Sequence, residues 1–188
     1  MNNLHLFEYP IQYSYMNEGF LNPQQILKSI PLKEDMIACD FGCGSGGWAI
    51  PLARELKAGM VYAIDILEEA VSALNGKVSS LQFFNIKTMV GDIERGVKMK
   101  DSYIDLVLIT NLLFQVENKQ FVLEEAKRVL KPDGIALIVD WKKDAPVGSK
   151  EGRVSLEEVV SMGEKIGFKK EKEIPAGNFH WGLLLRKI

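Results

Sequence analysis

The chain has 188 residues, enough for one domain with a real core, and its hydrophobic (47%) and charged (26%) fractions are those of an ordinary globular protein. A formal net charge of −2 excludes indiscriminate attraction to nucleic acid or to an anionic membrane, so neither is expected as a partner. No apolar run approaches the ~20 residues of a membrane span, and Met1-Asn-Asn-Leu-His-Leu-Phe-Glu8 has neither the basic region nor the apolar core of a signal peptide. A cytoplasmic location is therefore expected.

The first 35 residues lack regular alternation and concentrate aromatics at Phe7, Tyr9, Tyr13, Tyr15 and Phe20. Residues 1–35 read as an N-terminal arm. It either forms a lid over a site at the strand ends or docks onto the core. Within it, Asn22-Pro-Gln-Gln25 predicts a helix start, with Asn22 as cap, Pro23 in the first turn and the helix running to about Ser29.

Next comes Met36-Ile-Ala-Cys-Asp-Phe-Gly-Cys-Gly-Ser-Gly-Gly-Trp48. A strand-like run ends at Asp40, glycines follow at 42, 44, 46 and 47, and Trp48, Leu52, Ala53 and Leu56 share one face of a helix. Glycine allows a tight turn whose N–H groups a ligand can approach. The stretch reads two ways. Gly42, Gly44 and Gly47 satisfy the dinucleotide fingerprint G-x-G-x-x-G, while Asp40, Gly42, Gly44 and Gly46 satisfy D-x-G-x-G-x-G. Cys39 and Cys43 are too close for a disulfide framework and lack nearby histidines. They read as small packed residues, or alternatively as an oxidisable or metalloid-binding pair.

The pattern continues with a strand Met60–Ile66 ending near Asp65, a helix from about Glu68, a strand Ile86–Val90 running into Gly91-Asp92-Ile93, and a charged loop with Gly96. An apolar strand Tyr103–Ile109 leads to Thr110-Asn111; a helix over Lys119–Leu130 is terminated by Lys131-Pro-Asp-Gly134, and a strand Ile135–Val139 ends at Asp140-Trp141. After a polar loop, Ser155 and Glu158 predict a capping box, and Phe168–Ile174 and His180–Lys187 predict an antiparallel hairpin. Alternating strands and helices, with strands apolar on both faces, predict an α/β doubly wound, mostly parallel sheet in a single domain, 1–188. The basic clusters at Lys127-Arg128, Lys142-Lys143 and Lys169-Lys170 read as solvated faces.

In such a sheet ligands bind outside the carboxyl ends of the strands, where Asp40, Asp65, Asp92, Thr110-Asn111 and Asp140 converge. Asp65 lies 19 residues after Gly46, a spacing that puts a carboxylate where it accepts both ribose hydroxyls. Asp92 reads either as a partner for an adenine amino group or as a turn residue. Asp40 separates the two glycine readings. A carboxylate there opposes a pyrophosphate and favours the ammonium and sulfonium of S-adenosylmethionine. Neither Tyr-x-x-x-Lys nor a phosphate loop occurs.

The ordered set Asp40-Phe-Gly-Cys-Gly-Ser-Gly46, Ala63-Ile-Asp65, Gly91-Asp92-Ile93, Ile104-Asp-Leu-Val107, Asn111-Leu112 and Leu130-Lys-Pro-Asp-Gly134 resembles the class I S-adenosylmethionine-dependent methyltransferases. The similarity is to the compact ubiquinone/menaquinone-biosynthesis-like (type 11) group. The resemblance implies a Rossmann-like three-layer sandwich with a seven-stranded sheet in order 3-2-1-4-5-7-6, strand 7 antiparallel. It further implies a cofactor site of Asp40, Gly42, Cys43, Gly44, Gly46, Asp65, Ile66, Gly91, Asp92, Ile93, Thr110 and Asn111, with no metal. Asp65 would take the ribose, Asp92 and Ile93 the adenine, and Thr110 or Asn111 the amino acid moiety. Two departures stand out. Phe114-Gln115 occupies the place where many relatives carry a histidine, and Asn111 is followed by Leu112-Leu113 rather than by the prolines of amino-methylating nucleic-acid enzymes.

The expected reaction is in-line transfer of the sulfonium methyl to a small-molecule acceptor, leaving S-adenosyl-L-homocysteine. Asp140, Glu18, His180 and Tyr15 are conceivable bases, none with a spacing that selects it, so no catalytic residue is assigned. The alternatives are an NAD- or flavin-linked oxidoreductase and a non-catalytic S-adenosylmethionine-binding partner subunit. Selectivity is expected from the N-terminal arm, Leu112-Leu-Phe114 and the loop from Trp141 to Arg153.

Overall fold

A computed structural model describes residues 21–188. The aromatics Phe7, Tyr9, Tyr13, Tyr15 and Phe20, together with Glu18 and the lid expected of them, lie outside the described residues.

The first described helix, α1 (Pro23–Lys28), starts as its sequence predicts: the Asn22 side chain accepts from the Gln25 N–H at 3.2 Å. Strand β1 (Ile37–Phe41) and helix α2 (Ala49–Glu55) flank the glycine turn, and Pro51 sits in the first turn of α2, where a missing N–H breaks no bond. Then follow β2 (Met60–Asp65), α3 (Glu68–Ser80), β3 (Ile86–Val90), β4 (Ile104–Thr110), α4 (Lys119–Val129), β5 (Leu130–Trp141), α5 (Leu156–Lys165), β6 (Phe168–Ile174) and β7 (His180–Lys187).

These strands form one seven-stranded sheet in the order β3-β2-β1-β4-β5-β7-β6, with β7 antiparallel to both neighbours and the other pairings parallel. The order matches the one implied by the resemblance. Each strand alternates its side chains between two helical layers. Ala38, Val61, Leu106, Leu108, Leu137 and Leu184 pack with Leu27 of α1, Leu52 of α2 and Leu74 of α3 on one face. Cys39, Ile64, Val107, Ile109, Ile138 and Leu185 pack with Val122, Ala126 and Val129 of α4 and Val159 of α5 on the other. A leucine buried this way contributes about 1.5–3 kcal/mol.

The loop read between β3 and β4 is present and holds only a 3₁₀ turn, Ile93–Arg95, so strand and helix do not alternate there. Asp92 caps that turn by accepting from the Glu94 N–H, and Gly96 ends it. Lys131-Pro-Asp-Gly134 does not precede the fifth strand but lies inside it. Leu130 already pairs with Ile104, the next pair is Leu106–Ile135, and the residues between bulge outward with Asp133 at φ 61°. Pairing across β4 thus begins before the turn residues, which the ladder accommodates as an irregularity.

The capping box predicted for α5 is present: Ser155 Oγ accepts from the Glu158 N–H at 3.2 Å and Glu158 accepts from the Ser155 N–H at 2.6 Å. Ser155→Ala should lower the unfolding free energy by about 1 kcal/mol. The measurement is a shift of the urea midpoint at unchanged slope, and an unmoved midpoint would show that the box carries no net stability.

Candidate functional site

The parallel strands deliver their carboxyl ends to one rim of the sheet, and the order reverses between β1 and β4. At that switch point the chain leaving β1 turns sharply. The Gly42 and Cys43 N–H groups both donate to the Ile64 carbonyl, at 2.8 and 2.9 Å. Gly42, Gly44 and Gly46 have φ of 72°, 51° and 93°, whereas Gly47 is not in the left-handed region. A Cβ on Gly46 would lie 2.4 Å from Leu74 Cδ1, while one on Gly47 would meet nothing within 4 Å. The backbone therefore follows the Asp40–Gly46 spacing rather than the dinucleotide spacing that ends at Gly47. Beside Gly44 there is open space, with nothing within 4 Å of an added Cβ. Across the crevice Gly42 touches Leu112, which follows β4.

Asp65, at the end of β2, ties this turn down: one oxygen accepts from the Gly44 N–H at 2.8 Å and the other from the Leu67 N–H at 3.0 Å. Asp40 is different. It is 0% exposed, and neither carboxylate oxygen has a hydrogen-bond partner. Burial, reinforced by the charge of Asp65, pushes it up to about 8; the nearby Ala49 N–H opposes this without reaching hydrogen-bond geometry. Cys43 and Cys39 are free and buried, and burial followed by the charge of Asp40 raises both thiols. They are packed residues rather than reactive thiolates.

On the far side of β2, Ile66 is 61% exposed beside the carboxyl ends of β2 and β3. The Gly91 N–H donates to the Asp65 carbonyl at 2.9 Å. Asp92 is engaged as a turn cap and pairs with Arg95 at 3.2 Å, and the Ile93 side chain is buried in the core, leaving its backbone at the rim. At the end of β4, Thr110 is buried, and Asn111 has φ 51° with a buried Oδ1 lacking any partner. Its carbonyl accepts from Gln115 Nε2 at 2.6 Å. The rim thus brings together Asp40, Asp65, the three glycines, Cys43 and Gly91, with Thr110 and Asn111 across the switch point.

Several residues escape sequence reasoning. Lys77 of α3 donates to the Ser45 carbonyl and hydroxyl at 2.9 and 3.1 Å; the available signal was its position one helical turn beyond Leu74, which packs on Gly46. Arg153 folds the loop after β5 by donating to the carbonyls of Ser149 (2.6 Å), Lys142 (3.0 Å), Ala145 (2.8 Å) and Val147. Gly152 then fits against the backbone after β4, where a Cβ would fall 2.0 Å from the Phe114 carbonyl oxygen. Asp140 accepts from the Trp141 N–H at 2.7 Å, and burial pushes it up to about 6 while the Leu113 and Phe114 N–H groups oppose the shift. Alternation along β5 sends its side chain to the α4–α5 face, opposite the one that Asp40 and Thr110 occupy.

Residues 32–177 match the model of a family described as a methyltransferase domain. The chain belongs to this family. It is 26% identical over 132 residues to demethylmenaquinone methyltransferases of Bacillus cereus and Bacillus anthracis, covering 70% of this chain and 55% of those proteins. The chain thus spans about half the length of the curated relatives it matches. A crystal structure of a SAM dependent methyltransferase from Aquifex aeolicus superposes with a TM-score of 0.83 at 29% identity, over 90% of this chain and 91% of that one. The [4+2]-cyclase SpnF shares the fold alone, with a TM-score of 0.79 at 14% identity over 92% of this chain and 87% of that one. Family membership agrees with the resemblance read from the motifs.

Two measurements follow from this geometry. Gly46→Ala should cost about 1–3 kcal/mol in urea unfolding, from the left-handed backbone and the clash with Leu74, while Gly47→Ala should be near neutral; equal effects would contradict the turn described. Asp40 keeps a proton when folded that it loses when unfolded between about pH 4 and 8, so its contribution is fully present below pH 4 and is lost as pH rises through 8. Asp140, pushed up to about 6, and His180, lowered from 6.5 to about 4, are common to wild type and variant and cancel in the comparison. Between pH 6.5 and 8 the wild type should therefore lose stability relative to Asp40→Asn, by up to about 1.4 kcal/mol per pH unit. Parallel pH profiles for the two proteins would refute the assignment.

Proposed function

We propose that the chain is an S-adenosylmethionine-dependent methyltransferase acting on a small-molecule acceptor. The observation that carries this reading is the buried, unpartnered carboxylate of Asp40 beneath the glycine turn. A pyrophosphate would hold this buried group more firmly in its protonated form, whereas a cationic ligand would draw off the proton and serve as counter-ion to the buried carboxylate. The fit extends to neighbouring groups. Asn111 Oδ1 is a buried acceptor without a donor, matching an ammonium, and open space lies beside Gly44. Asp65 keeps lone pairs for two ribose hydroxyls after accepting from Gly44 and Leu67, and exposed Ile66 offers an apolar face to adenine. Gly42, Cys43 and Gly46 shape the turn, and Gly91 with the backbone of Asp92 and Ile93 closes the adenine side.

When bound, S-adenosylmethionine supplies an electrophilic sulfonium methyl, and its transfer leaves S-adenosylhomocysteine. The residues of this chain hold the donor, orient the acceptor in line and exclude water. Similarity to the Bacillus demethylmenaquinone methyltransferases supports a quinone-like small molecule as acceptor. No helix among the described residues is long and apolar enough to cross a membrane. A cytoplasmic, single-domain enzyme with residues 1–35 as an N-terminal arm, whose α1 packs on the core, belongs to the same proposal.

Calorimetry with S-adenosylmethionine, S-adenosylhomocysteine and NAD is the direct test. Binding of NAD with no response to either sulfur ligand would sink the reading in favour of an oxidoreductase. Sulfur-ligand binding without S-adenosylhomocysteine release across an acceptor panel would favour a non-catalytic partner subunit. Asp65→Ala should weaken S-adenosylhomocysteine by at least about 1 kcal/mol, roughly fivefold, the scale of a charge-assisted hydrogen bond. Unchanged affinity in that variant would remove Asp65 from the site.

A further inference from the structure

The corner where β5 meets β7 holds groups that the proposed cofactor site does not use. Trp141 and His180 are register partners on these strands, and their rings lie 4.0 Å apart between centroids, tilted by 36°. His180 is 6% exposed and its Nε2 has no hydrogen-bond partner. The Arg153 guanidinium lies 5.5 Å from the centre of the Trp141 ring and is surrounded by carbonyl oxygens. Lys142 donates to the Asn178 carbonyl at 3.0 Å. Among the described residues no carboxylate forms an ion pair with Arg153 or Lys142, whereas the adjacent Lys143 is matched by Glu158 at 2.7 Å. Neutral carbonyls satisfy hydrogen bonds but leave the charge in place, so a nine-tenths buried cation without a counter-ion gives this corner a positive field.

We propose that this corner anchors the remote end of the methyl acceptor through an anionic oxygen, a carboxylate or a phenolate, which His180 Nε2–H receives in the field of Arg153 and Lys142. Burial, then the charges of Arg153 and Lys142, keep the imidazole neutral to about pH 4, so it meets the anion as a hydrogen-bond donor. The proposal rests on the proposed cofactor site, in which the amino acid end of S-adenosylmethionine lies at Asn111, beside Thr110. Thr110 is level with Val139 and Gly182, and His180 stands two strands across and two residues further along. With strands about 4.8 Å apart and rising about 3.3 Å per residue, the separation is roughly 12 Å. His180 therefore holds the far end of an elongated acceptor and not the atom that is methylated.

The chain has two histidines, His5 and His180, so the imidazole ¹H–¹⁵N spectrum of the full chain contains two ring sets, and His180→Gln assigns them. With S-adenosylhomocysteine bound, 2-naphthoate and 2-naphthamide are titrated at neutral pH, and 2-naphthol at neutral pH and again at about pH 10, where its phenol ionises. The expected result is that at least one anionic probe shifts the His180 ring resonances and binds at least tenfold tighter than the neutral amide. Lys142→Gln should reduce that preference threefold or more without altering amide binding. Naphthoate acting alone identifies a carboxylate as the anchor, and naphthol acting alone a phenolate. Neither naphthoate nor naphtholate binding tighter than the amide, or a His180 ring unmoved by every probe, overturns the proposal. Failure of S-adenosylhomocysteine to bind the wild type would instead overturn the cofactor reading, which is read out separately from the histidine spectrum.

Discussion

One carbonyl governs the geometry of the rim. Ile64 O, the last but one on β2, accepts from both Gly42 and Cys43, and Asp65 beside it takes the Gly44 N–H. Two strands and the turn between β1 and α2 are thereby locked by three bonds of 2.8–2.9 Å. The turn can follow this path because three alternate residues adopt left-handed backbone, and because Leu74 of α3 comes close enough to Gly46 to exclude any side chain there. Asp65 is thus a structural element of the turn before it is a candidate ligand. Its position at the rim follows from the β2–β1 register, in which Ile64 stands opposite Phe41.

The rim also carries polar groups that the fold leaves without partners. Asp40 on β1, Asn111 after β4, Asp140 on β5 and His180 on β7 each bury at least one unpaired atom. Each such atom costs about 1–3 kcal/mol when nothing satisfies it. The two apolar layers behind the rim offset this cost. Destabilising groups gathered on neighbouring strands at one end of a sheet are the pattern of a binding site. Asp140 departs from the group. Its charge faces the α4–α5 side and stays near the Leu113 and Phe114 N–H groups, so it orders the chain after β4 rather than addressing a ligand in the crevice.

Loop 142–153 shows the limits of composition as a guide. Its glycines, lysines and Asp144 read as a solvated connection, yet Arg153 gathers several of its carbonyls and stacks near Trp141, while the Trp181 indole N–H donates to the Trp141 and Val154 carbonyls at 3.1 Å. A guanidinium at the end of a loop organises it only when the preceding carbonyls turn inward, and no residue spacing announces that. Lys142 likewise reads as one of a basic pair, although it differs from Lys143 in having no carboxylate partner among the described residues.

Periodicity and end signals in the sequence determined the order of strands and helices, the caps at Asn22 and Ser155 and the closing hairpin, because these rest on contacts within a few residues along the chain. The motif spacing from Asp40 through Asp92 determined which strand ends meet, since parallel strands must all deliver their carboxyl ends to the same rim. Tertiary structure decided which of Gly46 and Gly47 is indispensable, because the answer lies with Leu74 on another helix. It also decided that Lys131–Gly134 bulges within β5, through the pairing of Leu130 with Ile104, and that Arg153, Trp141 and His180 share one corner. Those outcomes depend on residues brought together from distant parts of the chain, and local pattern carries no information about such distances.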